Sequence, residues 1–331
     1  MQKFPAFRIH SDKESTRSGI EQLTMTDLCE GEVVIHVKYS SINYKDALAG
    51  TGKAKILRRS PLVGGIDLAG EVVESTCSDF AQGDQVLVNG SGLSEVHDGG
   101  YAEFACVPSE WVVPMPNKLT LAQSMIIGTA GFTAALCVHL LEQNNQLVDD
   151  GPIVVTGASG GVGSFAINIL NKLGFETIAV TGKDTAHDYL YELGATKVVG
   201  RGKIDIGEGV LEKTRWAGAI DNVGGKTLSA LVRATRPWGN VVSVGVAGGT
   251  TFELSPMPFI IRGVNLLGVS SSNCPQTLRK LIWNRLAHDL HPEQIAKIHS
   301  QTVRLEDLPE AFEKLLNNEI KGRTLVEVSS E

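Results

Sequence analysis

The sequence predicts an α/β protein in two parts, a β-rich unit over residues 1–125 and then a doubly wound parallel sheet with helices on its faces. Three observations predict it. Residues 152–174, PIVVTGASGGVGSFAINILNKLG, read as strand, glycine turn and helix. Downstream of them, short apolar runs alternate with helical patterns, the mark of right-handed βαβ crossovers. Upstream, short strand candidates are separated by Gly, Pro, Asn and Asp, and no helix-length amphipathic run dominates, which suggests a compact, partly open barrel.

In the upstream part, residues 32–39 (EVVIHVKY) alternate apolar and polar side chains as a half-buried strand does. Residues 70–74, 85–89, 101–107 and 111–113 are further short strands. From Leu121 the pattern turns helical (LAQSMIIGTAGFTAALCVHLLEQ), with a glycine interruption between Gly128 and Gly131. A strand at 153–156 then meets Gly157, Gly160, Gly161 and Gly163, followed by Val162, Phe165, Ala166, Ile169, Leu170 and Leu173 at helical spacing. A strand at 177–181, a helix at 185–193 closed by Gly194, and strands at 197–199, 217–222, 240–245 and 266–271 continue the alternation. The tail carries a helical stripe at 305–318 and a last strand at 324–328, and it is expected to pack back on the first part. The domains predicted are residues 1–125, 126–271 and a C-terminal segment 272–331 that rejoins the first.

The glycine turn carries the chemistry. Glycines let the backbone turn sharply and approach a pyrophosphate closely, because no Cβ intervenes. The following helix presents unpaired N–H groups and the positive end of its dipole to that anion. The spacing G-x-x-G-G-x-G departs from the strict dinucleotide fingerprint, and a tight βα turn in another α/β protein would look similar. The flanking strand and helix favour the dinucleotide. The second strand of such a fold ends at the adenosine ribose, where an acidic residue would select NAD. Here it ends Thr181-Gly182-Lys183, a hydroxyl, a bare backbone N–H and an ammonium suited to a 2′-phosphate. Arg201 is a second candidate contact. The expected cofactor is NADPH.

Composition narrows the class. At 331 residues the chain can build two sizeable cores, and its 42% hydrophobic and 20% charged residues are ordinary for a globular protein. A net charge of −7 gives no basic footprint for nucleic acid. No apolar run is expected to reach the length of a membrane span, and the first residues lack the apolar core of a signal peptide. The five cysteines form no CxxC and no disulfide framework, which fits a reduced cytoplasmic protein. Cys106 and Cys137, among apolar neighbours, are expected to be buried and unreactive. His288 and His291 are read as exposed helix-end residues, and Pro256 and Pro258 as shaping a loop.

Six stretches resemble the medium-chain dehydrogenase/reductase superfamily: SSINYKDALAGTGK (40–53), PLVGGIDLAGEVVE (61–74), GDQVL (83–87), GGYAEF (99–104), IGTAGFTA (127–134) and VVTGASGGVG (154–163). The resemblance covers essentially the whole chain and implies a GroES-like catalytic domain and a Rossmann domain. Where zinc alcohol dehydrogenases of this superfamily carry Cys, a His-Glu pair and Cys, this chain reads Asn43, Ile66-Asp67 and Thr129. An isoleucine, an amide and a hydroxyl cannot hold zinc, so no metal is expected. Asp46 is expected to cap the following helical turn, and Asp67 to hydrogen-bond backbone near the old metal position.

Within the zinc-free branch, the strings NYKDAL, GIDLAG, MIIGTAGFTAALCV, VTGASGGVGS, WAGAID, MPFIIRG and KGRTLV resemble quinone-oxidoreductase-like proteins that act as NADPH-dependent acrylyl-CoA reductases. The resemblance implies cofactor contacts at Tyr44, Thr129, Ser159, Gly160, Gly161, Val162, Thr181, Gly182, Lys183, Arg201, Val246, Ile260, Ser271 and Arg323. It also implies a homodimer, paired through the edge of the Rossmann sheet. Tyr44 is the candidate proton donor or nicotinamide contact, with Asn43 supporting the same pocket. Without zinc, reduction of an activated C=C bond remains feasible, because enolate charge needs hydrogen-bond donors rather than a Lewis acid. The expected substrate is a short enoyl-CoA such as acrylyl-CoA. Lys53, Lys55, Arg58 and Arg59 could bind the CoA phosphates, or be solvated loop cations. Two other functions fit the same nucleotide site: an NADPH:quinone oxidoreductase, and a nonenzymatic NADPH-binding redox sensor.

Overall fold

The computed structural model describes residues 2–12, 15–204 and 207–329. The chain begins with β1 (Phe4–Ser11), β2 (Thr16–Leu23), β3 (Val33–Ser41), α1 (Tyr44–Thr51), β4 (Leu62–Val63), β5 (Asp67–Ser75), β6 (Gln85–Asn89), β7 (Phe104–Val107) and β8 (Val113–Pro114). There follow α2 (Leu121–Gln143), β9 (Ile153–Thr156), α3 (Gly161–Lys172), β10 (Thr177–Thr181), α4 (His187–Glu192), β11 (Lys197–Gly200), β12 (Trp216–Asp221), α5 (Gly225–Ala234) and β13 (Thr235–Ser243). The chain closes with α6 (Met257–Arg262), β14 (Asn265–Gly268), α7 (Gln276–Ala287), α8 (Ile295–Ile298), β15 (His299–Val303), α9 (Leu308–Leu316) and β16 (Arg323–Glu327). Two compact units emerge: residues up to 129 with 272–287 and those from 299 onward, and residues 130–271 with 288–298.

The first unit is the β-rich one. Among the described residues its main sheet runs β15-β16-β3-β5-β6-β8, with β7 also on β3, and a smaller sheet runs β2-β1-β4. β3 alternates buried and half-buried residues over Val33–Val37, as its sequence pattern predicts. β16 pairs antiparallel to β3, with Leu325 opposite Ser41, and parallel to β15. Phe7, Tyr101 and Phe312 meet edge-on or tilted in the core beneath α1 and α9. The N-terminal hairpin of β1 and β2 has no clear sequence signal: TRSGIEQL in β2 is mostly polar because little of it is buried. Trp283 and Arg279 of α7 are fully buried, the first donating to Asn89 Oδ1 at 2.9 Å and the second to the Asn89 carbonyl at 2.5 Å.

The second unit is a doubly wound sheet, as the sequence predicts. Six parallel strands run in the order β11-β10-β9-β12-β13-β14 among the described residues. All four residues of the central strand β9 are buried, because helices cover both faces of a parallel sheet.

Several expectations are corrected. Helix α2 is long and apolar enough to cross a membrane by length and composition, with a mean hydropathy of 1.7 over its best window, so such a stretch does exist. Within the fold 83% of that window is buried, and Gly128 breaks the helix at φ 49°, ψ −158°. Cys137 is fully buried, but Cys106 is only half-buried, because β7 alternates and Cys106 lies on its less buried face with Phe104. Pro256 and Pro258 shape no open loop: they start α6, where fixed φ suits a first helical turn. His288 is exposed after α7 and His291 half-buried; both carbonyls accept Lys172 Nζ, at 3.4 and 3.0 Å.

Candidate active site and nucleotide site

In the first unit, the residues that stand at the zinc-ligand positions of the resembled enzymes are drawn together around one carboxylate. Asp67, the first residue of β5, is fully buried. Its Oδ2 accepts Ser41 Oγ at 2.6 Å and Asn43 Nδ2 at 2.7 Å. Its Oδ1 accepts Thr129 Oγ1 at 2.6 Å, and the Thr129 N–H reaches both oxygens at 3.0–3.1 Å. Thr129 can aim two donors at one carboxylate because Gly128, just before it, takes a conformation open only to glycine. A Cβ on Gly128 would lie 2.7 Å from both Asp67 Oδ2 and Arg323 Nη2.

Arg323, from the start of β16, supplies the positive charge. Its Nη2 lies 3.8 Å from Asp67 Oδ2 and donates to Ser41 Oγ at 2.7 Å. Nη1 donates to the Ile42 carbonyl at 2.8 Å and to Asn43 Oδ1 at 3.0 Å, and Nε to the Ile126 carbonyl at 3.0 Å. The side chain is only 4% exposed, and burial depresses its pKa while Asp67 opposes that shift. The guanidinium keeps its proton in a protein. Asn43 is therefore held from both ends, its oxygen on Arg323 and its nitrogen on Asp67. Both ends of its amide are committed within the cluster.

Asp46 adds a second buried carboxyl. It caps α1 as expected, its Oδ2 accepting the Asn43 N–H at 2.9 Å, and its Oδ1 accepts the Ile66 N–H at 2.9 Å. Burial first, then the neighbouring Asp67 charge, pushes its pKa up to about 7. With Asp46 protonated, Asp67 and Arg323 balance and the buried cluster is neutral. Tyr101 donates to the Ser41 carbonyl at 3.0 Å, and burial with both carboxylates raises its phenol well above the usual value. Tyr44, the first residue of α1, stands apart: it is 54% exposed, and its hydroxyl has no hydrogen-bond partner among the described residues.

The family implied by the resemblance includes zinc enzymes, and these residues do not fit zinc. A zinc ligand offers lone pairs, whereas Thr129, Asn43 and Ser41 all turn hydrogens toward Asp67, and a guanidinium already provides the cation. Ile66 offers nothing. No step is derived through a metal.

The nucleotide candidates gather in the second unit. Ala158 and Ser159 follow β9, and Gly160, Gly161 and Val162 form the N-cap and first turn of α3. The twelve-residue helix aims its free N–H groups at this turn. Gly163 is needed for packing, since a Cβ there would sit 2.5 Å from the Gly157 carbonyl oxygen. Ser159 Oγ and Thr181 Oγ1 are 3.1 Å apart, and Thr181 Oγ1 accepts the Lys183 N–H at 3.1 Å. The Arg201 guanidinium lies 3.5 Å from where a Gly182 Cβ would be. Lys183 is half-buried and its ammonium pKa lowered by that burial. The glycine turn, the Thr181 hydroxyl and the Arg201 guanidinium thus gather about Gly182, with Lys183 next in the chain, and these residue types fit a dinucleotide with a 2′-phosphate. Val246 lies exposed in the loop after β13, Ile260 is exposed on α6, and Ser271 follows β14 half-buried.

Sequence reasoning did not single out Ser41, Tyr101, Gly128 or Asp221 for the sites. Asp221 ends β12, accepts Thr156 Oγ1 at 2.5 Å and the Gly224 N–H at 2.8 Å, and so fixes the strand ends beside the glycine turn. Its signal was present: an acidic residue closing an apolar strand, AGAID, needs a buried partner.

Comparison with known proteins accords with this fold. Residues 29–117 match the alcohol dehydrogenase GroES-like domain, and residues 161–287 match the zinc-binding dehydrogenase family. The acrylyl-CoA reductase AcuI of Ruegeria pomeroyi is 41% identical over 99% of this chain and all of its own. YhfP of Bacillus subtilis, provisionally named a quinone oxidoreductase, is 43% identical over 98% of this chain and 99% of its own. Among solved structures, that of Escherichia coli YhdH with bound NADPH covers 98% of this chain and all of its own, at 44% identity and a TM-score of 0.94. The chain therefore belongs to the medium-chain dehydrogenase/reductase family, in the company of quinone-oxidoreductase-like and acrylyl-CoA reductase relatives.

Proposed function

We propose that this protein reduces the C=C bond of a short enoyl-CoA, of the acrylyl-CoA class, with NADPH and without a metal. One observation carries the proposal: the place of a metal is taken by a buried, neutral-balanced cluster of Asp67, Arg323 and Asn43. Such a cluster offers a rigid, hydrogen-bonding wall and no Lewis acid, which suits an activated alkene better than a ketone. The named activity of the Ruegeria relative supports the substrate class, and the NADPH bound to YhdH supports the cofactor.

NADPH, when bound, supplies the hydride. Ser159, Gly160, Gly161 and Val162 are assigned to its pyrophosphate, and Thr181, Gly182, Lys183 and Arg201 to its 2′-phosphate. Val246, Ile260 and Ser271 are assigned to the rest of the cofactor on the family resemblance. Tyr44 is assigned the proton donated at the substrate α-carbon, since its hydroxyl is exposed and uncommitted. Asn43, Thr129 and Arg323 hold the wall behind it. Asp46, its pKa pushed up to about 7 by burial and the Asp67 charge, exchanges its proton near neutral pH and so sets the charge of the cluster there.

A homodimer is part of the proposal. Among the described residues β14 ends the parallel sheet with one side unpaired, and the exposed Trp238 packs on Gly263, beside the exposed Ile261 of α6. Sedimentation should give a dimer that Trp238→Asp and Ile261→Asp dissociate; a monomeric parent would contradict it. Five free thiols and a net charge of −7 support a reducing cytosol and no nucleic-acid partner.

The experiment is NADPH oxidation with acrylyl-CoA, crotonyl-CoA and a benzoquinone. The proposal expects the highest kcat/KM for acrylyl-CoA and a lowered kcat in Tyr44→Phe. Preference for the quinone would replace the substrate assignment, and NADPH binding without turnover would make the protein a sensor.

A further inference from the structure

We infer that the loop between α1 and β4 is a phosphate-binding site for the nucleotide end of a CoA thioester, with Lys55, Arg58 and Arg59 as its cations. The inference rests on the enoyl-CoA reading above and adds to it the subsite that would tell CoA from a truncated thioester.

Lys53, Lys55, Arg58 and Arg59 fall within seven positions of a chain whose net charge is −7. They are not alike. Lys53 Nζ is tied to Glu313 at 2.8 Å. Lys55, Arg58 and Arg59 are exposed and form no ion pair among the described residues. The carboxylates around them are already engaged. Glu313 holds Lys53, Glu95 holds Lys45 at 2.5 Å, and both oxygens of Asp98 accept backbone N–H groups, from Cys29 and Val63. Three cations without an ion pair among the described residues, on one short segment, form a local positive field.

The segment is also held in place, unlike a free surface tail. Leu57 is buried in the core cluster with Phe7, Tyr101 and Phe312, and Ile56 packs against that cluster. The Arg58 N–H donates to the Glu95 carbonyl at 2.7 Å. Glu95 therefore joins two things: through its carbonyl the loop at Arg58, and through its carboxylate Lys45, the neighbour of Tyr44. The loop leaves the C-terminal end of α1 at Gly52, and beyond β4 the chain is back at the end where Asn43 and Tyr44 sit. The return is closed by Ile66, which donates to Asp46 at 2.9 Å.

The scale suits CoA. Eight residues of α1 span about 12 Å. The pantetheine arm of CoA, equivalent to about four residues of extended chain, reaches about 15 Å. A thioester carbonyl at Tyr44 thus puts the pyrophosphate and 3′-phosphate about one helix length away, the distance to the loop that leaves the C-terminal end of α1. Two arginines offer planar, bidentate donors to phosphate oxygens, and Lys55 a point charge.

The test compares the parent with the triple variant Lys55→Gln, Arg58→Gln, Arg59→Gln, using acrylyl-CoA and acryloyl-pantetheine, which lacks the phosphates. The KM ratio of variant to parent should be about tenfold or more for acrylyl-CoA, the worth of one charge-assisted contact, and collapse toward one for acryloyl-pantetheine. In the parent, added salt should raise KM for acrylyl-CoA and leave that for acryloyl-pantetheine nearly flat. An unchanged KM for acrylyl-CoA in the variant overturns the inference, as does equal loss on both substrates. Calorimetry of adenosine 3′,5′-bisphosphate on the NADPH-saturated protein separates the two readings. If the parent does not turn over acrylyl-CoA, the enoyl-CoA activity fails; binding that the variant loses would still uphold the phosphate site, and no binding to the parent would remove it.

Discussion

Arg323 Nη2 lies 3.8 Å from Asp67 Oδ2, with both side chains sealed from water and joined through Ser41 and Asn43. A charge taken out of water is tolerated only with a partner, so removing one member strands the other. Asp67→Asn should cost about 3–5 kcal/mol of unfolding free energy in urea titration, the range for breaking a buried pair. A loss within experimental error of zero would mean that the pair is not coupled as described.

Asp46 sets a pH dependence. Its pKa rises from 3.8 to about 7 on folding, so the folded state holds a proton that the unfolded state releases. Its contribution to stability is fully present below pH 3.8 and is lost as pH rises through about 7. The unfolding free energy of the parent should therefore fall between those limits relative to Asp46→Asn, in which the slope from this group disappears. Parallel pH profiles would refute the assignment.

Gly128 is the hinge on which Thr129 meets Asp67. Its φ of 49° and ψ of −158° are strained for any residue with a Cβ, at about 1–3 kcal/mol, and the methyl would also strike the buried pair. Gly128→Ala should lower Tm and kcat together, whereas Gly83→Ala, where a Cβ meets no atom, should leave kcat alone. Full activity in Gly128→Ala would show that Thr129 need not be held this way.

Lys183 tests the cofactor. Lys183→Glu replaces a cation beside Thr181 and Arg201 with a carboxylate, and should raise the Kd for NADPH by about tenfold or more while changing that for NADH little. Equal changes for both nucleotides would remove the 2′-phosphate assignment.

The framework of the candidate nucleotide site was legible because it is local. Strand, glycine turn, helix and the residues ending the second strand lie within one short stretch, and each has a backbone reason to be what it is. The first unit was harder. Asn43, Asp67 and Thr129 stood out only as places where zinc ligands would be expected, and nothing local says that Arg323, far along the chain, closes the same cluster. Antiparallel pairing of β16 with β3 makes that contact, and such long-range register has no short sequence signature. The hairpin of β1 and β2 escaped for another reason: its second strand is too exposed to show alternation. The extent of α2 was legible from its apolar run, and of the glycines at its middle only Gly128 departs from helical geometry.

The central claim is that a carboxylate–guanidinium pair stands where a metal would, and that reduction proceeds without one. The direct measurement is kcat/KM for acrylyl-CoA with NADPH before and after exhaustive chelation, with zinc content measured alongside. The account predicts no stoichiometric zinc and an unchanged rate. Bound zinc whose removal abolishes turnover, and whose return restores it, would contradict it.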